Sequence, residues 1–190
     1  MTAPPTREHL AQIAAAKSLG KKIRRAVNYA TIDGWTIAVF GGLTAITSLF
    51  SALGLVLGVG MMIVAWFEFR GASALKRLDP GAPRRLAINQ VALGGLLFLY
   101  AGISLWMAMH QPSAFSADIG NDPQMKSMLG GIDDLARTIY VAVYATLMAV
   151  AIIGPGMNAV YYLSRVSHIQ TYLRETPTWI LDLQRAGMSL

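Results

Sequence analysis

Glu68 and Arg70 stand at the end of a long apolar stretch, and Asn89 and Gln90 stand near the start of the next one. A carboxylate, a guanidinium and two amides at such a boundary could do one of two things. They could tie helices together by charge-assisted hydrogen bonds, or accept and pass protons or cations. A charge at the centre of a membrane helix costs about 2.5–3.5 kcal/mol on insertion scales, so embedded charges are read first as paired or functional. Glu68 lies about one turn from the polar end of its stretch, where a long side chain reaches the boundary and sheds much of that cost. The preferred reading is structural, with Glu68 meeting Arg84 or Arg85, or bonding Asn89; proton or ion handling is the other. A second group is Gly154-Pro155-Gly156 with Asn158 and Tyr161. Proline there frees the carbonyl of Ala151 and bends a helix. Broken backbone of this kind binds ions only where it lines a cavity. A passive kink is preferred, because no acidic residue is expected deep enough in a span to serve as a coupling group.

Other chemistry is excluded by residue type or place. The chain has no cysteine, which removes disulfides, thiolate metal sites and cysteine nucleophiles. His9, His110 and His168 fall outside the expected span centres, and His110 is expected on the opposite side from the other two, so neither a bis-histidine haem nor an H-E-x-x-H zinc site is expected. No Walker-type glycine loop, no G-x-S-x-G elbow and no carboxylate pair at membrane depth is read from the sequence. Asp133 and Asp134 are neighbours that diverge on a helix and read as solvated first-turn residues. No catalytic, cofactor-binding or metal-binding residue is assigned.

The elements that position these residues follow from composition. Of 190 residues 54% are hydrophobic and only 14% charged, against roughly 25% charged in soluble domains. The apolar residues form blocks of about 18 or more, the length that crosses hydrocarbon. Four spans are expected, near 35–50, 53–69, 86–109 and 139–163. The unbroken apolar run from Trp35 to Phe67 is folded back at Ser51 to Gly54, because one helix of that length would carry apolar side chains into water. Leu78-Asp79-Pro80-Gly81-Ala82-Pro83 stops one helix and starts the next. All but Lys126 and Arg137 of the 16 Lys and Arg fall in three segments, Arg7 to Arg25, Arg70 to Arg85 and Arg165 to Arg185. An even number of crossings puts all three on the cytoplasmic side. The formal net charge of +6 is thereby read as topology plus attraction to anionic lipid, not as nucleic-acid binding. Residues 1–33 read as a cytoplasmic amphipathic helix broken at Asp33-Gly34, with Leu10, Ile13, Ala16, Ile23, Val27 and Ala30 near one face. Residues 34–165 read as the transmembrane domain. Residues 166–190 read as an interfacial tail helix with Trp179, Ile180 and Leu183 on its apolar side. The segment 111–134 reads as an acidic loop on the far side, and no cleavable leader is expected. The expected fold class is all-α, an integral membrane four-helix bundle of two helical hairpins with amphipathic interfacial helices at both termini.

Glycines crowd the spans, among them Gly54 and Gly58 in a GxxxG pair, and Gly94 and Gly95. Small residues let membrane helices approach closely, within a chain or between chains. The stretch Phe67-Glu68-Phe69-Arg70-Gly71, then Leu78-Asp79-Pro80 with Ala82-Pro83-Arg84, then Asn89-Gln90, resembles a group of small bacterial four-span membrane proteins with no assigned function, over residues 25–105. The resemblance implies a bacterial inner membrane and singles out Glu68, Arg70, Asp79, Asn89 and Gln90. The expected function is that of a non-enzymatic membrane protein associating laterally with itself or with a larger membrane complex. The alternative is a small channel or transporter subunit with a path near the kinked fourth span.

Overall fold

The computed structural model describes residues 6–110 and 123–185, with backbone alone at 123–131, 133 and 185. The described residues are all-helical, in six helices: α1 (Arg7–Thr47), α2 (Ala52–Lys76), α3 (Ala82–His110), α4 (Pro123–Leu163), α5 (Arg165–Glu175) and α6 (Thr178–Arg185). Three stretches are long and apolar enough to cross a membrane: Ala52–Lys76, Ala82–His110, and Asp134–Glu175, which takes in most of α4 with α5. The first expected span, 35–50, falls mostly within α1 and is not among them. From Trp35 to its end at Thr47, the apolar part of α1 reaches only about 20 Å at 1.5 Å per residue.

α1 begins with a capping box. The Thr6 hydroxyl accepts from the His9 amide at 3.3 Å, and His9 Nδ1 accepts from the Thr6 amide at 3.4 Å. The helix then continues for 41 residues through Asp33 and Gly34, where a break was expected. The reason is tertiary. A Cβ on Gly34 would lie 3.4 Å from Glu68 Cβ, so the missing side chain is filled by α2, and Asp33 finds a hydrogen-bond partner on α3. The buried positions of α1, Ala16, Gly20, Ile23, Ala26, Ala30, Gly34, Ile37 and Gly41, recur every three or four residues as one small-residue stripe.

The fold-back comes at Ser48 to Ser51. Ser48 closes α1 by donating its amide to the Thr44 carbonyl, and the Ser51 hydroxyl caps α2 by accepting from the Gly54 amide at 3.3 Å. α1 and α2 pack antiparallel and close: a Cβ on Gly58 would lie 2.5 Å from the Ala45 amide nitrogen, and one on Gly41 would lie 2.8 Å from Met61 Cβ. The next turn is a Schellman motif. The amide of Asp79 donates to the Ala74 carbonyl and that of Leu78 to Leu75, both at 3.0 Å. Leu78 takes the left-handed position at φ 60°, where glycine is usual and leucine costs roughly 1–2 kcal/mol; its side chain packs against the core.

The chain divides into two compact units. One holds α1, α2, α3 to Ala92, and the chain from Met157. Its core contains Leu75, Leu86, Tyr162, Ile169, Tyr172 and Ile180, all nearly inaccessible to solvent. The terminal helices are built into this core. Trp179 Nε1 donates to Gln12 Oε1 at 3.0 Å, the His9 and Trp179 rings meet edge to face at 5.4 Å, and the Tyr172 hydroxyl donates to Gln184 at 2.9 Å. Of the apolar residues expected on the terminal helices, Ala16, Ile23, Ala30 and Ile180 are buried in this core, and Ile13, Val27 and Trp179 pack against it. The other unit, residues 93–156, contains α3 from Leu93 onward and most of α4. Within it a Cβ on Gly94 would lie 2.7 Å from the Ala151 carbonyl oxygen and 3.3 Å from Pro155 Cβ. The carbonyl that Pro155 leaves without its helical donor thus sits in the notch of a glycine. α4 stays helical through Pro155. It already begins at Pro123, so much of the expected acidic loop is helix, and 111–122 lies outside the described residues.

Candidate functional site

Four helices of the first unit converge on a polar network. α1 supplies Tyr29 and Asp33, α2 supplies Glu68, α3 supplies Asn89 and Gln90, and α4 supplies Asn158 and Tyr162. Glu68 and Gln90 are 0% exposed and Asn89 8%. Around Glu68, the Tyr162 hydroxyl donates to Oε1 at 2.5 Å, and Asn89 Nδ2 donates to Oε2 at 2.7 Å and to the Val64 carbonyl at 3.0 Å. From Asp33 a second line runs outward. Gln90 Nε2 donates to Asp33 Oδ2 at 2.5 Å, Asn158 Nδ2 donates to Gln90 Oε1 at 3.2 Å, and the Tyr29 hydroxyl donates to Asn158 Oδ1 at 2.6 Å. The two lines come together at the Asp33 and Glu68 carboxyls.

Asp33 and Glu68 bring two carboxyls together inside the unit, a pairing not expected from the sequence, and among the described residues no cation forms an ion pair with either. Two neighbouring carboxylates repel, so the pair is more favourable when one of them is protonated. A signal for the pair was present. Asp33 precedes and Glu68 follows the α1–α2 turn by nearly the same number of residues, so an antiparallel hairpin brings them face to face. Reading Asp33 as a helix breaker hid that register.

Of the expected polar cluster, Glu68, Asn89 and Gln90 come together and the arginines stay outside. Arg70 is exposed with its guanidinium 5.1 Å from the Trp66 ring centroid. Arg84 is exposed, and Arg85 pairs with Asp79 at 3.1 Å. Glu68 therefore takes an amide and a phenol as partners, which satisfy its oxygens without burying a guanidinium. Of the expected kink group, Asn158 joins the network, while Tyr161 stacks between Tyr29, centroids 5.0 Å apart, and the Arg165 guanidinium 4.3 Å away. The packing glycines divide. Gly54 is filled by Ser48 of the turn, Gly58 by Ala45 of α1, and Gly94 by Ala151 and Pro155, whereas among the described residues a Cβ on Gly95, Gly154 or Gly156 would meet nothing within 4 Å.

Tyr29, Asp33 and Tyr162 complete the site and were not anticipated as site residues, since tyrosines near a boundary read as interface anchors. Chemically the network brings two carboxyls together, and it ties four helices with directional bonds that leave each of its members a partner. Compared with protein-family models, curated proteins and solved structures, the chain matches none.

Proposed function

We propose that this chain is a non-enzymatic multi-pass membrane protein that associates laterally, with itself or with a larger membrane complex, through the outer parts of α3 and α4. The observation that carries the reading is the contrast among glycines. Those between α1 and α2 are filled from within the chain, but Gly95 and Gly102 on α3 and Gly154 and Gly156 on α4 have no neighbour within 4 Å of a built Cβ among the described residues. Small residues without a neighbour offer the close backbone approach by which membrane helices associate. In the same direction, 39% of the most apolar window of α2 is buried, against 22% for α3 and 11% for the α4–α5 stretch.

In this reading the chain crosses a bacterial inner membrane four times as two hairpins, with both termini cytoplasmic. Trp35, Val39, Phe40, Leu43 and Ile46 are all more than half exposed along the last part of α1, a surface suited to hydrocarbon. The short crossing fits a thin or locally adapted bilayer. A reporter fused after Arg77 is expected on the same side as one at the amino terminus.

Because the chain lacks cysteine, single cysteines test association directly. Gly95→Cys and Gly102→Cys, two turns apart on α3, are expected to crosslink to a protein in native membranes, and Val39→Cys on α1 is expected not to. Capture of lipid alone at both α3 positions would overturn the reading.

The second reading, a small channel or transporter subunit, is favoured by the Asp33–Glu68 pair and the bonded line from it through Gln90 to Asn158. Its test is Glu68→Gln. A folded variant that loses proton-linked flux in reconstituted vesicles would support it.

A further inference from the structure

A groove of about 1000 Å³ runs along the outside of α2 and α3 within the first unit. Its chemistry is ordered along its length. Ile63, Phe67, Ile88 and Ala92 form an apolar wall, and Arg70, Arg77 and Arg85 line the end near the Leu78 turn. From Ile63 to Arg77 the helix rises about 21 Å, roughly the depth of one leaflet with its headgroup layer. Asp79 also lines the groove. Its carboxylate is engaged on both oxygens, Oδ1 accepting from the Gly81 amide at 2.8 Å and Oδ2 pairing with Arg85 at 3.1 Å. Three guanidiniums thus face one carboxylate, which leaves a positive excess and holds Arg85 at the rim. Trp66 holds Arg70 in a similar way.

We propose that this groove is a binding site for a single anionic glycerophospholipid, with the phosphate among Arg70, Arg77 and Arg85 and one acyl chain along Ile63, Phe67, Ile88 and Ala92. The guanidinium fork matches phosphate oxygens, and an apolar wall continuous with the cationic end matches the order of groups in a lipid and in no free phosphate. The site differs from general attraction to a negative surface, because it depends on these three arginines and on the width of the wall beside them.

The test is lipid retention. The full chain is purified in mild detergent from an equal mixture of phosphatidylglycerol and phosphatidylcholine with identical chains, at about 0.15 M salt, and the bound lipid is quantified by mass spectrometry. One phosphatidylglycerol per chain is expected. Neutralising Arg70→Gln, Arg77→Gln and Arg85→Gln together is expected to lower the preference roughly fivefold for each arginine removed. An equal charge change at Lys17→Gln, Lys21→Gln and Arg25→Gln is expected to leave it intact. Ala92→Trp, which narrows the wall without touching charge, is expected to lower retention as well. Should removal of Asp79's partner unfold the turn, Arg70→Gln with Arg77→Gln serves alone, folding being checked by circular dichroism. Equal loss in the two charge sets, or no loss in either, overturns the proposal. So does full displacement of the lipid by millimolar inorganic phosphate, which would make the site one for the free anion.

Discussion

The α1–α2 hairpin and the outer α3–α4 unit are both rich in glycine, yet they use it in opposite ways. In the hairpin three missing side chains are occupied by a close neighbour: Met61 at Gly41, Ala45 at Gly58, Ser48 at Gly54. In the α3–α4 unit, among the described residues, Gly94 alone is used so, against the carbonyl left free by Pro155, and Gly95, Gly102, Gly154 and Gly156 meet nothing. The hairpin is also joined at its base by directional bonds centred on Asp33 and Glu68, whereas the exposed Val150, Ile152 and Ile153 show how much apolar surface α4 leaves uncovered. One residue type therefore supports two kinds of helix contact, and the position of the neighbouring backbone decides which.

The sharpest way to break this comparison is a paired substitution. Gly58→Leu is expected to destabilise the fold by about 3 kcal/mol or more, since overpacking against backbone cannot relax by a rotamer change; Gly95→Leu is expected to change stability by less than about 0.5 kcal/mol while abolishing the α3 crosslink. Denaturation in detergent measures the first, and crosslinking in membranes the second. A similar loss of stability from both would erase the distinction between the two regions.

A somewhat smaller effect is expected at the polar network. Glu68→Leu strands Tyr162 and Asn89 without their acceptor and is expected to cost about 1–3 kcal/mol. Glu68→Gln keeps the shape and one acceptor oxygen, and is expected to retain most of the stability. Equal losses from the two would show that side-chain volume matters here and hydrogen bonding does not.

Gly94→Ala should cost less again, about 1–2 kcal/mol, because the Ala151 carbonyl and Pro155 can move apart within a sparsely packed unit. Adding Pro155→Ala is expected to recover part of that loss, since the restored amide reclaims the Ala151 carbonyl. A double variant no better than Gly94→Ala alone would mean that the proline and the glycine are unrelated.

Much of this architecture was legible. The fold-back expected at Ser51 to Gly54 occurs at Ser48 to Ser51, and the Leu78 to Pro83 turn stops α2 and starts α3 as its prolines and glycine indicate. Glu68 with Asn89 and Gln90 was legible as a cluster, down to the Glu68–Asn89 bond. The arginines were misplaced because charge complementarity suggests a partner without saying which way a helix faces. Asp33 was missed because its composition signals a break, and a polar residue beside glycine looks the same whether it ends a helix or lines a packed one.

The amino-acid sequence alone determined the helical class, the apolar stretches and their turns, since these depend on local hydropathy, capping residues and proline, which act within a few positions along the chain. Only the tertiary structure decided that Asp33 meets Glu68, that the terminal helices turn their apolar sides against the rest of the first unit, and which glycines are filled. Each of those depends on the register and rotation of helices distant in the chain, and a rotation of a few tens of degrees, invisible in composition, exchanges a buried partner for lipid.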